Sequence, residues 1–207
     1  MITDIIKEIK KRKKSFLIDL SELKKVEKTL SDVDYLKFLE LTNGGGILNQ
    51  SIIFYGVLPN ELENEIFYNN FLFQKFYGEL ISDIFLFAED SFGNQFGFLK
   101  DGKIIFINIE TALIEFTFDN FNDFAIKIFE NLDYFSGFSV MKKWIDRFGV
   151  IEGTKRLCPK KPFVLGGGFE IDNFYSLDKK ELFDFYSYIA KQIKDLPDGV
   201  QIEFKIE

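Results

Sequence analysis

The chain has 207 residues, 46% hydrophobic and 29% charged, with a net charge of -7, a globular balance sufficient for one well-filled domain. It holds no histidine and one cysteine, Cys158. That excludes Ser-His-Asp triads, Cys-His dyads, zinc sites of ordinary ligand type and internal disulfides, and leaves catalysis to Asp, Glu, Lys, Tyr or a backbone anion hole.

No apolar run approaches the roughly 20 residues that span a bilayer. The opening MITDIIKEIKKRKKSF sets its basic residues behind a short apolar stretch with no small-residue cleavage site, so the expectation is a cytoplasmic protein without a membrane partner. Residues 1–28 hold nine Lys/Arg against five Asp/Glu, so the remainder of the chain carries -11. An acidic body repels nucleic acid and favours a basic protein partner, although mild acidity also serves solubility alone. Phenylalanine occurs 27 times. Each buried ring contributes about 1.5–3 kcal/mol, and the count reads as compositional bias feeding a core more readily than as an aromatic platform.

In chain order, Ile5, Ile6, Ile9, Phe16, Leu17, Leu20 and Leu23 form an apolar stripe that predicts a basic amphipathic helix over residues 1–28. Lys10 to Lys14 lie on its wet side. Ser31 serves as the N-cap of a second helix carrying Val33, Leu36, Phe38, Leu39 and Leu41, closed by Thr42-Asn43-Gly44. The triple glycine Gly44 to Gly46 follows a helix and precedes a strand, the reverse of a phosphate-binding loop. It reads as a left-handed helix closure that turns into a strand from Ile47 to Phe54.

Asn60 and Glu63 form a capping-box-like start for a helix reaching about Tyr77. Strands follow at Ile84–Ala88, Phe96–Leu99, Ile104–Asn108 and Ala112–Phe118, with EDSFGNQ as a turn and Lys100 to Lys103 as a hairpin. Asn120 or Asn122 caps a helix through Leu132, and another covers Phe138 to Phe148. A second triple glycine, Gly166 to Gly168, lies between the runs Phe163–Leu165 and Phe169–Ile171 as a strand-to-strand turn or bulge. Asp178 with Glu181 caps a helix with Leu182, Phe185, Ile189 and Ile193 on one face, and LPDG leads to a last strand, Val200–Ile206.

The stretches LSDVDYLKFLELTNGGGI and SDIFLFAEDSFGNQFGFLKDGKIIFI resemble the SUKH superfamily, the fold of the yeast cell-wall assembly regulator and of many bacterial immunity proteins. The shared pattern is a helix closed by Asn43, Gly44 and Gly45, a strand, a spacer helix, then an apolar strand with Phe87 running into an acidic turn of Glu89, Asp90, Gly93, Asn94 and Gln95. Family members commonly open the first core helix with proline, where this chain has Ser31. They often carry aspartate after the glycine of the acidic turn, where it has Asn94.

The resemblance covers roughly residues 30 to 120. It implies an α+β fold, a mainly antiparallel sheet with flanking helices, and function by binding without turnover. The organisation expected is one domain, with a core at 29–135 and an α/β C-terminal extension at 136–207 packed on it. The expected role is a non-enzymatic immunity protein that neutralises a cognate toxin, a basic nuclease being one candidate. No cofactor, metal, nucleic acid or small-molecule substrate is expected. Candidate partner-binding residues are Glu89, Asp90, Asn94, Gln95, Asp119 and Asp123; Asn43, Gly44, Gly45, Gly93, Gly166 and Gly167 are structural.

Two other readings stay open: a regulatory or scaffolding module for a host protein, and a carboxylate enzyme built on EDSFGN. That motif lacks the ordered oxygen-ligand spacing of a calcium loop.

Overall fold

Six strands of the computed structural model, which describes residues 1–12, 18–58, 64–151, 153–197 and 199, pair antiparallel in strict chain order. They are β1 (Gly45–Ile47), β2 (Ile52–Phe54), β3 (Ile84–Asp90), β4 (Gln95–Leu99), β5 (Ile104–Asn108) and β6 (Leu113–Phe118). A chain that meanders this way needs only short connections, which the hairpin at Lys100 to Lys103 illustrates: Gly102 (φ +87) turns it and Leu99 N–H donates to Lys103 O at 2.8 Å.

The helices are α1 (Ile2–Arg12), α2 (Leu20–Thr29), α3 (Val33–Thr42), α4 (Ile66–Tyr77), α5 (Phe121–Glu130), α6 (Leu132–Ser136), α7 (Phe138–Phe148) and α8 (Lys179–Ile193). On one face of the sheet, Tyr35 and Phe38 of α3 and Phe121 and Phe124 of α5 pack against Phe54 and Phe87, while Phe135 of α6 meets Phe106, Phe116 and Phe118. These rings meet largely tilted or edge-on, geometries worth about 0.5–1.5 kcal/mol per pair beyond the area they bury. Among the described residues fourteen phenylalanines are buried.

The other face lies under α4 and α8. Phe73 and Tyr77 of α4 meet Phe183 of α8 edge-on, Tyr77 donates to Ile109 O at 2.8 Å, and Asn70 exchanges two hydrogen bonds with the backbone of Leu86. Leu182, Phe183, Tyr186, Ile189 and Ala190 of α8 belong to the same continuous core as the sheet. A second small sheet, β7 (Lys155–Pro159) with β8 (Phe174–Asp178), and α7 enclose a satellite core of Phe92, Val140, Met141, Leu157 and Phe174. The fold is α+β, as the pattern implied.

Several local expectations are corrected. The described part of the N-terminal stripe forms two helices, with Asp19 capping α2 by accepting from Ser21 N–H at 2.8 Å; Phe16 and Leu17 lie outside the described residues. The cap of α3 is Asp32 instead of Ser31, and its second oxygen accepts from Phe121 N–H at 2.9 Å, a long-range bond no local pattern discloses. The strand expected over Ile47–Phe54 is a hairpin. Three successive non-glycine residues, Leu48 (φ 52), Asn49 (φ 57) and Gln50 (φ 66), take left-handed conformations and fold β2 back on β1.

The helix expected through Leu132 breaks at Asn131 into α5 and α6. The runs flanking Gly166 to Gly168 are not strands. Phe163–Leu165 and Ile171–Asn173 are single 3₁₀ turns within the β7–β8 connection. Phe185 of α8 is exposed, and Phe183 and Tyr186 take the buried positions. The helix start at Asn60 and Glu63 and the last strand at Val200–Ile206 lie outside the described residues; within them, Glu65 caps α4.

Candidate functional site

Asn43 ends α3 in a left-handed conformation (φ 47), and its amide bonds both ways with Val57, donating to the carbonyl at 3.1 Å and accepting from the N–H at 2.7 Å. Gly44 (φ +75) must be glycine, since a Cβ there would stand 2.6 Å from Phe54 O. This closure brings the end of α3 onto the chain that leaves β2. Gly45 (φ 127) opens β1. In the second glycine run, Gly166 (φ 80) closes a 3₁₀ turn and Gly167 passes so near Lys161 O that a Cβ would meet it at 1.8 Å. Both runs shape backbone.

The acidic turn lies inside the molecule. Glu89 and Gln95 are 0% exposed and Asp90 is 1% exposed, so the expectation that they meet a partner at the surface is corrected; Asn94 is half-buried. β3 continues through both carboxylates, and Glu89 faces the side covered by α8 and β7. There it ion-pairs with Arg156 of β7 and, at 2.8 Å, with Lys179 of α8. The Tyr55 hydroxyl lies 3.0 Å from Glu89 Oε2 and 2.7 Å from Gln95 Oε1, and Gln95 Nε2 donates to Gly93 O at 2.7 Å. Lys179 also donates to Asn69 Oδ1 at 2.7 Å and sits 4.9 Å above the Tyr55 ring.

Burial works against the Glu89 charge, but Arg156, Lys179 and the Tyr55 hydroxyl outweigh it and hold the carboxyl below its ordinary value. Burial likewise lowers Lys179, to about 8, with Glu89 opposing and Arg156 adding to the shift. Asp90 goes the other way. Burial drives it up to about 7 although it accepts from Phe92 N–H, Asn94 N–H and Asn94 Nδ2, and the neighbouring Glu89 charge adds to the rise. Asp90 therefore acts as the turn's internal cap. Gly93 (φ +85) completes that turn against Leu182, whose Cδ2 would stand 2.6 Å from a Cβ.

A third buried carboxylate, Glu110, accepts from Phe163 N–H at 3.1 Å and Val164 N–H at 2.8 Å, fixing the start of the long β7–β8 loop. Burial raises it, with those two N–H groups opposing. The crevice beside it, lined by Phe92, Asn94, Phe163 and Tyr186, has room for about one water molecule and none for a substrate. These three carboxylates, like the buried Glu65 that caps α4, are spent on internal hydrogen bonds and ion pairs. Among the described residues, no cluster of His, Cys, Asp or Glu is arranged to hold a metal.

The other two candidates are at the surface. Asp119 is exposed and Asp123 half-buried, at the start of α5, which Asn120 caps. Partial burial of Asp123 is outweighed by Lys127, 2.9 Å away, and by the Asp119 N–H, leaving the carboxyl below its ordinary value. Over residues 113–136 five Asp/Glu meet one Lys, and Leu113, Ile114 and Tyr134 of the same stretch are 64%, 47% and 54% exposed. Sequence reasoning missed these apolar residues, and missed Arg156 and Lys179. Their only local signal is that Lys179 opens a helix at a position whose neighbours are otherwise solvated.

The charge division is sharper than the chain-level figure. Residues 29–135 hold seventeen Asp/Glu and five Lys/Arg, a net of -12, whereas residues 136–207 total +1. No helix among the described residues is long and apolar enough to cross a membrane.

The fold is an antiparallel meander covered on both faces, with its acidic turn held inside. Residues 17–127 match the SMI1/KNR4 family (SUKH-1), and the chain belongs to that family. Its members are generally non-enzymatic proteins of immunity or regulatory type that bind partner proteins. The chain is similar to the crystal structure of Atu4351 from Agrobacterium tumefaciens, with a TM-score of 0.58 at 12% identity over 84% of this chain and 83% of that one, which is a likeness of fold. That coverage reaches beyond the family match. No curated protein matches the chain.

Proposed function

We propose that this chain is a non-enzymatic immunity protein that binds a cognate bacterial toxin domain with a basic surface and blocks it. The observation that carries this reading is the -12 charge of residues 29–135; Glu65, Glu89, Asp90 and Glu110 are taken inside, and the other carboxylates of this stretch among the described residues are exposed or half-buried. A surface of one sign speeds encounter with a partner of the other and disfavours partners of like sign. Asp119 and Asp123 are the contact residues of first choice, with Glu115 and Asp133 beside them. The protein acts in the cytoplasm, where the buried Cys158 stays reduced.

The test is capture of partners on the tagged protein in its native host, followed by co-expression with whatever is captured. A toxin-like domain recovered one-to-one, whose toxicity co-expression abolishes, is the expected result. Recovery of a housekeeping assembly without any protection would replace the immunity reading with that of a regulatory module.

A further inference from the structure

The two edges of the main sheet are unequal. β1 is three residues long and lies against α1, whose Glu8 accepts from Leu48 N–H at 2.8 Å at the end of the strand. β6 has six residues, pairs with β5 on its inner side, and has no strand on its outer side among the described residues. Such an edge presents backbone donors and acceptors in register for one more strand. Leu113, Ile114, Glu115 and Thr117 are exposed along it, and Tyr134 of α6 reaches across to Glu115 Oε2 at 3.2 Å.

We propose that the outer edge of β6 receives an extended segment of a partner protein in which apolar residues alternate with Lys or Arg, adding a seventh strand to the sheet. The inference rests on the partner-binding reading above and names the surface used. Ile114, on the face opposite Leu113, supplies apolar contact for the incoming strand's apolar side chains, and Glu115, bonded to Asn108 and Tyr134 on the other face, meets its cations together with Asp119 and Asp133. The same charges disfavour a second copy of this chain: pairing two β6 strands sets Glu115 near its copy and brings together two 113–136 stretches, each of net -4. The register shift between Phe106 and Ile107, which places Glu115 in a bulge, adds twist that resists such flat self-pairing while leaving the edge open to a flexible segment.

The test uses a fluorescein-labelled peptide alternating valine and lysine, with a valine-glutamate peptide as control, on the full chain. Anisotropy gives affinity at about 50 and 300 mM NaCl, and amide hydrogen exchange gives the footprint. Expected are binding of the lysine peptide alone, weakening with salt, about tenfold slower exchange across Leu113–Phe118, and at least about tenfold loss of affinity in Ile114→Lys and Glu115→Lys. Thr117→Lys, at an exposed position further along the strand, is the second variant should either fail to fold by circular dichroism.

No binding, protection elsewhere, unchanged affinity in folded variants, or a dimer in sedimentation that itself protects β6 overturns the proposal. Loss of the edge while a captured toxin is still neutralised removes this inference and leaves the function. Failure of both removes both.

Discussion

Two groups of carboxylates divide the molecule between them. Glu89, Asp90 and Glu110 sit in the interior, each with its partners fixed: two cations for Glu89, a ring of N–H donors for Asp90, and the start of the long loop for Glu110. Glu115, Asp119 and Asp123 lie at or near the surface around the β6 edge, where water screens them and one lysine answers them. The chemistry of the side chains is the same. Desolvation separates their roles: a buried charge is costly to leave unpaired and becomes structure, whereas a solvated charge adds little stability and is free to act on a partner.

The largest effect should come from breaking the interior group. Glu89→Gln removes the buried counter-charge that Arg156 and Lys179 share, and urea unfolding should show a loss of about 3–5 kcal/mol. Gly44→Ala ranks second, because it combines a left-handed backbone with a clash against Phe54 O; about 2 kcal/mol is expected from the same measurement.

The third test is titration. The folded value of Asp90, about 7, lies above its ordinary 3.8, so the folded chain keeps a proton that the unfolded chain has released. Its contribution to stability is full below about pH 4 and is lost as pH rises through about 7; Glu110, also raised, acts in the same direction. Glu89, lowered, has the opposite sign and loses its contribution only as pH falls below the ordinary glutamate range. With no histidine in the chain, the interval from pH 5 to 7 is nearly free of other titrating side chains. Asp90→Asn should therefore flatten the fall in stability across that interval, and an unchanged slope would contradict the assignment.

The smallest stability effect belongs to the surface group. Asp119→Lys with Asp123→Lys should move unfolding by no more than about 0.5 kcal/mol for each site. The same pair should slow association with a basic partner at low salt by about tenfold in stopped flow. A large stability loss with unchanged association would reverse the division drawn here.

What was legible in the sequence was what local geometry demands. Asn43 and Gly44 announce a left-handed closure because few residues tolerate that backbone, and Asp178 caps α8 as expected, accepting from Lys180 N–H at 3.0 Å. The strands of the centre follow from their apolar runs. The hairpin at Leu48, Asn49 and Gln50 was hidden because it uses no glycine at its left-handed positions. The site was the least legible part. EDSFGNQ has the composition of a solvated turn, and only Arg156 and Lys179, brought in from distant β7 and α8, turn Glu89 into a core residue.

The separation of those partners also sets an order of events as the chain is synthesised. The six strands are complete at Phe118, yet the second cation for Glu89 is Lys179, ninety residues after it. At about 5–20 residues per second, the stretch from the end of β6 to Lys179 takes roughly 3–12 s to make. Until Arg156 is made the completed sheet carries Glu89 with neither counter-charge, and until Lys179 is made with one, open to water or to any basic surface nearby. The arrival of α8 closes that face, so this helix acts as a latch whose timing decides when the core around Glu89 first becomes whole.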